Sequence, residues 1–350
     1  MKIIDLFAGV GGLTLGFEDA GFESVASVDL WSDAIDTFNH NRKTKTGLNI
    51  DIREFNKQKL PEILSNNVIS GVIGGPPCQG FSSARLSDRS ERMNGINEDR
   101  NQLYIEFFKT VKIAQPDFFV LENVRGMLNL SNGAFVKDIL SRFGKLGYEI
   151  SYQLLNAADY GVPQTRHRVF FVGLRNTKFV FGENCLPMVT SKEALSDLPL
   201  LPAKGMTSYA SKPNNAYQRK MRDKSPGVLN HEETKHSQQT VEIISLIPDG
   251  GSIKSLPDEY WKVRKFNKAF QRMASNKPSL TIDTGHRNYF HFSENRVPTV
   301  RESARLQSFP DWFEFTSSKT SQYKQVGNAV PPALAFHLAT QIFKQLKKSN

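Results

Sequence analysis

The sequence predicts an α/β protein with a doubly wound, mostly parallel sheet, joined to a second, smaller and irregular domain. Three observations carry this reading. Over the first 175 residues, short continuous apolar runs alternate with helical patterns, as strands buried on both faces require. A glycine-rich turn directly follows the first apolar run. From about residue 176 the periodicity breaks down into Pro-, Ser-, Asn- and Lys-rich sequence that still holds many aromatics.

Lys2-Ile3-Ile4-Asp5-Leu6-Phe7 reads as the first strand, and Ala8-Gly9-Val10-Gly11-Gly12 as the turn. Leu13, Leu15-Gly16-Phe17 and Ala20 begin a helix that Gly21 ends. Val25-Ala26-Ser27-Val28 is a second strand with Asp29 at its end, and Asp51, followed by Ile52, closes a third. Further strands end at Ile73, cover Phe118 to Leu121, and cover Val169 to Val172, with helices near 101–114 and 134–146. Asp197-Leu198-Pro199-Leu200-Leu201-Pro202 and Pro248-Asp249-Gly250-Gly251 are turn-rich. After Pro331-Pro332, the spacing of Leu334, Phe336, Leu338, Ile342 and Leu346 predicts a closing amphipathic helix. The expected division is residues 1–175 with 320–350 as one domain, and 176–319 as the second.

Composition narrows the function classes. The chain of 350 residues carries a formal charge of +10, unevenly spread. Residues 1–80 hold 7 Lys/Arg against 10 Asp/Glu, whereas residues 201–280 hold 14 against 7. The basic segment also contains Tyr217, Tyr260, Trp261 and Phe266, a combination suited to a polyanion such as nucleic acid, although a solvated basic surface has the same composition. No apolar run approaches the ~18 residues of a membrane span. A strand-like start carrying Asp5 is a poor signal peptide. The two cysteines, Cys78 and Cys185, are expected to stay reduced, and no Cys or His cluster has metal-ligand spacing, so no metal is expected.

The strongest local signal is Gly74-Gly75-Pro76-Pro77-Cys78-Gln79-Gly80-Phe81-Ser82. Two prolines fix their own φ directly before the cysteine, and glycines on either side allow close approach to the backbone. Placed just past a strand end, where ligands gather in open α/β sheets, Cys78 reads as a nucleophile. The Phe7–Gly12 turn, with Asp29 at the second strand end and Asp51 at the third, suits an adenosyl ligand. Thr14 stands where a pyrophosphate-binding turn has its third glycine, so S-adenosylmethionine fits better than a dinucleotide. Glu122, after the strand ending at Leu121, can hydrogen-bond a ring nitrogen and donate to it if protonated; a structural cap is the alternative. In Gln164-Thr165-Arg166-His167-Arg168, alternation puts Gln164, Arg166 and Arg168 on one side, as substrate contacts or as a surface ion-pair strip. The polar stretch 83–100 suits a closing loop, with Ser82, Ser87, Arg89 and Arg92 as candidate nucleic-acid contacts. Arg287, Asn288 and Tyr289 are candidates for base-edge readout, with a packing turn as the alternative.

Taken together, these strings resemble the DNA (cytosine-5)-methyltransferase family, of the bacterial restriction–modification type. The matching strings are Asp5 to Gly12, Gly75 to Ser82, Glu122-Asn123-Val124, Gln164 to Arg168, Arg301 to Pro310 and Gln325 to Pro332, in that order. The resemblance implies a Rossmann-like, S-adenosylmethionine-dependent fold with a target-recognition domain. It implies cofactor contacts at Phe7, Gly9, Gly11, Asp29, Leu30, Asp51, Ile52, Pro77, Leu103, Asn328 and Val330. It also implies Cys78 as nucleophile, Glu122 as the acid at the ring, Arg168 at the cytosine carbonyl with Arg166 beside it, and Arg301 and Arg305 as supports of the recognition domain. Asp29 departs from the family's more frequent Glu. The implied reaction is methylation of C5 in a flipped-out cytosine of duplex DNA, leaving S-adenosylhomocysteine, by a monomeric, cytoplasmic, nucleoid-associated enzyme of bacterial or phage origin, without membrane contact. A separately acting restriction endonuclease is the expected functional partner. A transfer-RNA cytosine-5 methyltransferase and a catalytically inactive nucleic-acid reader are the other readings. Retention of Cys78, Glu122, Arg166 and Arg168 together argues against the reader. No added regulatory or targeting region is expected.

Overall fold

A computed structural model describes residues 1–77, 98–182, 186–263, 270–285 and 289–349. Packing divides the chain into two compact units. The first comprises Met1–Asn156, His167–Glu183 and Ala335–Asn350, and the second Ala157–Arg166 and Asn184–Leu334. Relative to the expected division, 157–166 and 320–334 group with the second unit. Gln164 and Arg166 account for the first of these, because their side chains bond to its backbone and side chains, as detailed below.

The first unit begins with β1 (Lys2–Leu6), α1 (Gly12–Asp19), β2 (Glu23–Asp29), α2 (Ser32–His40) and β3 (Gly47–Asn49). There follow α3 (Ile52–Glu54), α4 (Leu60–Asn66), β4 (Ile69–Gly74), α5 (Glu98–Ala114), β5 (Phe118–Val124), α6 (Ala134–Gly144), β6 (Tyr148–Asn156) and β7 (His167–Arg175). The seven strands are ordered β3-β2-β1-β4-β5-β7-β6. All ladders are parallel except the two made by β7, which runs antiparallel between β5 and β6. The strand order therefore reverses between β1 and β4, the place where open α/β sheets form a ligand crevice at their carboxyl ends. Fully buried Ile3, Ile4, Leu6, Val72, Ile73 and Phe118–Leu121 explain why the central strands read as unbroken apolar runs. An aromatic cluster closes one face: Phe119 stacks on Phe143 at 4.2 Å, and Tyr148 meets Phe119 edge-on at 5.2 Å.

Three boundaries differ from expectation. β6 was not anticipated, because only Tyr148, Ser151 and Leu155 of this edge strand are buried and it has no continuous apolar run. β3 ends at Asn49, and Asp51 instead caps α3, accepting from Arg53 N at 2.7 Å. β5 continues through Glu122 and Asn123 because Phe170 and Val169 of β7 pair with them.

The second unit contains α7 (Ser191–Leu195), α8 (Ala216–Arg222), α9 (Gln238–Leu246), β8 (Gln271–Arg272), β9 (Tyr289–Phe290), α10 (Val300–Leu306) and α11 (Lys319–Asn328). The closing helix, α12 (Pro332–Ser349), lies mostly in the first unit, where Phe343 meets Phe22 edge-on at 5.6 Å. With little regular structure, the second unit is tied by buried arginines. Arg305 bonds Asp311 through two nitrogens at 2.6 Å each and Asp197 at 2.9 Å. Arg301 donates to the carbonyls of Leu229 at 2.9 Å, Pro310 at 3.0 Å and Phe313 at 2.6 Å. Arg296 forks onto Glu302 at 2.7 and 2.8 Å, and Glu302 completes a capping box with Thr299 at the start of α10. Arg301 and Arg305 thus cross-link this unit from within. Among the described residues, no helix is long and apolar enough to cross a membrane.

Candidate active site and cofactor loop

The loop after β1 is built from left-handed backbone: Phe7 has φ 61°, Gly9 55° and Gly11 83°. Ala8 N donates to Val28 O at 3.0 Å, and Gly11 N to Ala8 O at 2.8 Å, so the loop curls over the end of β2 into α1. Asp29 sits at that end. Its Oδ2 accepts from Gly9 N and its Oδ1 from Trp31 N, both at 2.8 Å, so one carboxylate shapes the loops after both strands. A Cβ placed on Gly9 would meet nothing within 4 Å, and the neighbouring Leu30 is 70% exposed. Open space over Gly9, beside an exposed apolar side chain and a carboxylate, leaves room for an adenosyl group at this end of the sheet.

Other predicted cofactor residues are placed less directly. Asp51 is engaged as the α3 cap, with Arg53 Nη1 at 3.4 Å from its Oδ2. The Ile52 side chain is 4% exposed and belongs to the hydrophobic core, and Leu103 packs half-buried against the same core. Pro77 is exposed, whereas in the second unit Asn328 is exposed and Val330 buried. Asp5 is buried beneath the loop, where it accepts from Thr14 Oγ1. Burial pushes its carboxyl up to about 7, against the lowering effects of the Thr14 hydrogen bond and the Arg42 charge.

At the ends of β4 and β5, the ladder stops at Gly74 and Leu121, but the two chains stay side by side. Pro76 and Pro77 have no N–H to continue the ladder. Asn123 supplies the bond through its side chain, with Nδ2 donating to Pro76 O at 2.9 Å while its Oδ1 accepts from Val124 N at 2.8 Å. Gly75 leaves room for the acid: a Cβ there would lie 2.7 Å from Glu122 Oε2. Arg168, at the start of the antiparallel β7, places its Nε 3.0 Å from Glu122 Oε1 and donates from Nη1 to His167 O at 2.8 Å. The structure therefore brings Glu122, Arg168 and the Gly75–Pro77 segment to the carboxyl end of the sheet, on strands beside the one that leads into the Phe7–Gly12 loop.

Gln164 and Arg166 do not share that setting. Gln164 is fully buried, donates to Leu306 O at 3.1 Å and to Gln307 Oε1, and accepts from Ile282 N at 3.0 Å. Arg166, 1% exposed, donates to Ile282 O at 3.0 Å and Gly327 O at 2.8 Å. Both are internal pins of the second unit. Full burial of the Gln164 side chain among these bonds corrects the expectation that it contacts nucleic acid directly. Tyr289 lies half-buried on β9, and burial raises its hydroxyl pKa. Cys78, Ser82, Ser87, Arg89, Arg92, Arg287 and Asn288 lie outside the described residues. The sequence alone gives Asn123 no role of its own. Its place directly after Glu122 was the available signal.

Residues 1–344 match the family of C-5 cytosine-specific DNA methylases. This chain belongs to that family. It is 37% identical to the Type II methyltransferase M.DdeI of Desulfomicrobium norvegicum, covering 98% of this chain and 88% of that protein. It is 36% identical to M1.HphI of Haemophilus parahaemolyticus, covering 98% and 87%. A crystal structure titled as a DNA modification methyltransferase encoded within an E. coli prophage superposes with a TM-score of 0.82 at 28% identity, over 99% of both chains. The Dnmt2 methyltransferase of S. pombe shares the fold, with a TM-score of 0.63 at 14% identity over 99% of both chains. The chain is a DNA (cytosine-5)-methyltransferase, and its fold is that of the S-adenosylmethionine-dependent methyltransferases.

Proposed function

We propose that the enzyme methylates C5 of a cytosine within a specific duplex sequence through a covalent intermediate on Cys78, with the base turned out of the helix. The observation that carries this reading is the Glu122–Arg168 pair held beside Gly75–Pro77, the residues that lead directly into Cys78.

C5 of cytosine is too weak a nucleophile to take a methyl group unaided. The Cys78 thiolate adds to C6, and the ring electrons move to C5 as an enamine. Glu122, protonated, donates to N3 and stabilises the charge that develops on the ring. Arg168 orients that carboxyl and offers its remaining N–H groups to the cytosine carbonyl. Bound S-adenosylmethionine supplies the methyl group, with S-adenosylhomocysteine as the product. A base then removes the C5 proton, the C5–C6 double bond re-forms, and the thiolate leaves. Approach to both faces of the ring requires an unstacked base. In this reading Asp29, Leu30 and the Phe7–Gly11 loop hold the adenosyl group, and the second unit reads the target sequence. The Type II relatives support a role as the modification half of a restriction–modification system; the proposal extends to a cytoplasmic monomer that works on DNA beside a separately acting endonuclease.

Transfer of labelled methyl to duplex DNA and, separately, to transfer RNA tests the reading, with Cys78→Ser as control. Label on DNA that vanishes in Cys78→Ser is expected. Label confined to transfer RNA, or retained by Cys78→Ser, overturns it.

A further inference from the structure

Behind the cofactor loop lies an arginine that belongs to none of the family's matching strings. Arg42 follows α2, with its side chain 9% exposed, and its guanidinium meets three pieces of the chain. Its Cζ lies 3.6 Å from the centroid of the fully buried Phe38 ring, and its Nη1 donates to Phe38 O at 3.2 Å. Nη2 and Nε reach Glu18 of α1 at 3.1 and 3.2 Å. Nη2 also lies 3.5 Å from Gly11 O, at the outer limit of a hydrogen bond. Gly11 fits only because it lacks a side chain: a Cβ would stand 2.5 Å from the Phe38 ring and 3.0 Å from Arg42 Nη2. The loop thus rests on a plate made of one ring and one guanidinium.

We infer that Arg42 is a positioning residue for the adenosyl cofactor: through Phe38, Glu18 and Gly11 it holds the Phe7–Gly11 loop in its binding conformation. The inference rests on the cofactor reading of that loop. The loop needs such support, because a left-handed Phe7 is strained and persists only where its surroundings enforce it. When the competent conformation is only partly populated, the apparent dissociation constant rises by the inverse of that population. Lysine cannot substitute, because a point charge provides neither the flat stacking surface nor several donors in a fixed fork.

Calorimetric titration of S-adenosylhomocysteine into wild-type, Arg42→Lys and Arg42→Met proteins tests this. Failure of the wild-type protein to bind would sink the cofactor reading itself, apart from any role of Arg42. With wild-type binding in hand, both variants are expected to bind about tenfold more weakly at unchanged stoichiometry, the loss of a charge-assisted contact being of that size. The KM for S-adenosylmethionine should rise by the same factor, with kcat and the KM for DNA within twofold of wild type. Partial misfolding would instead lower the stoichiometry and leave the dissociation constant of the remaining sites unchanged. That result, or unchanged affinity in both variants, overturns the inference.

Discussion

The two units of this enzyme are held together by different forces. The sheet unit buries continuous apolar strands, and its backbone groups pair along ladders. The second unit has short helices, a two-stranded sheet and a small apolar core around Ile243, Ile244, Phe270 and Phe290. Arg272, Arg296, Arg301 and Arg305 there satisfy carbonyls and carboxylates that no regular structure would satisfy. Apolar burial is tolerant of shape, whereas a buried charge network fails when a single member is removed. The sheet unit should therefore absorb core substitutions that the second unit's network cannot.

Arg305→Ala is expected to have the largest effect on stability. It leaves Asp197 and Asp311, both fully buried, without their main partner. A loss of about 3–5 kcal/mol is expected in urea unfolding, against about 1.5 kcal/mol or less for Phe119→Leu in the sheet unit. Equal losses would erase the contrast between the units.

Glu122→Gln probes the sheet unit's chemistry rather than its stability. A fall in kcat of about 10²–10⁴-fold is expected with unchanged binding of S-adenosylhomocysteine, because the amide cannot deliver a proton to N3. Retention of more than a tenth of wild-type kcat would remove Glu122 from the mechanism.

Asp5 gives the sheet unit a pH dependence of its own. Its folded pKa is raised by burial to about 7, so its favourable contribution is complete below the ordinary carboxylate range and is lost as pH rises through 7. Asp5→Asn keeps an acceptor for Thr14 without the charge. The stability of this variant relative to wild type should increase between pH 5 and pH 8, by on the order of 2 kcal/mol. A gap that is flat with pH would show that Asp5 does not titrate in this range.

The smallest expected effect belongs to Asn123→Ala, which removes the bond to Pro76 O. About tenfold in kcat is expected from looser placement of the segment entering Cys78, with cofactor affinity unchanged. A proportional loss of kcat and binding stoichiometry would make its role purely structural.

The same contrast explains what the sequence disclosed. β1, β2, β4, β5 and β7 were legible because strands buried on both faces leave unbroken apolar runs. The edge strand β6 left no such run. Glu122 and the glycine loop announced themselves by following strands, where the fold places ligands. Gln164 and Arg166 misled for a physical reason. Their period-two alternation suggested a shared exposed face, yet residue 164 forms an isolated bridge to Ser279, and both side chains donate to carbonyls more than 100 residues away. Nothing local encodes such contacts. Arg42 was silent in the same way, since its significance lies in Gly11 and Glu18, brought to it by the packing of α2 on the loop.

The central claim is that Cys78 bonds covalently to the target ring beside Glu122. It is tested most directly with duplex DNA in which 5-fluorocytosine replaces cytosine, incubated with enzyme and S-adenosylmethionine and followed by peptide mass analysis. Fluorine at C5 cannot leave as a proton does, so the account predicts a stable adduct carrying one methyl group, attached at Cys78 and absent from Cys78→Ser. Methylation of ordinary DNA by Cys78→Ser, or an adduct mapped to another residue, would contradict it.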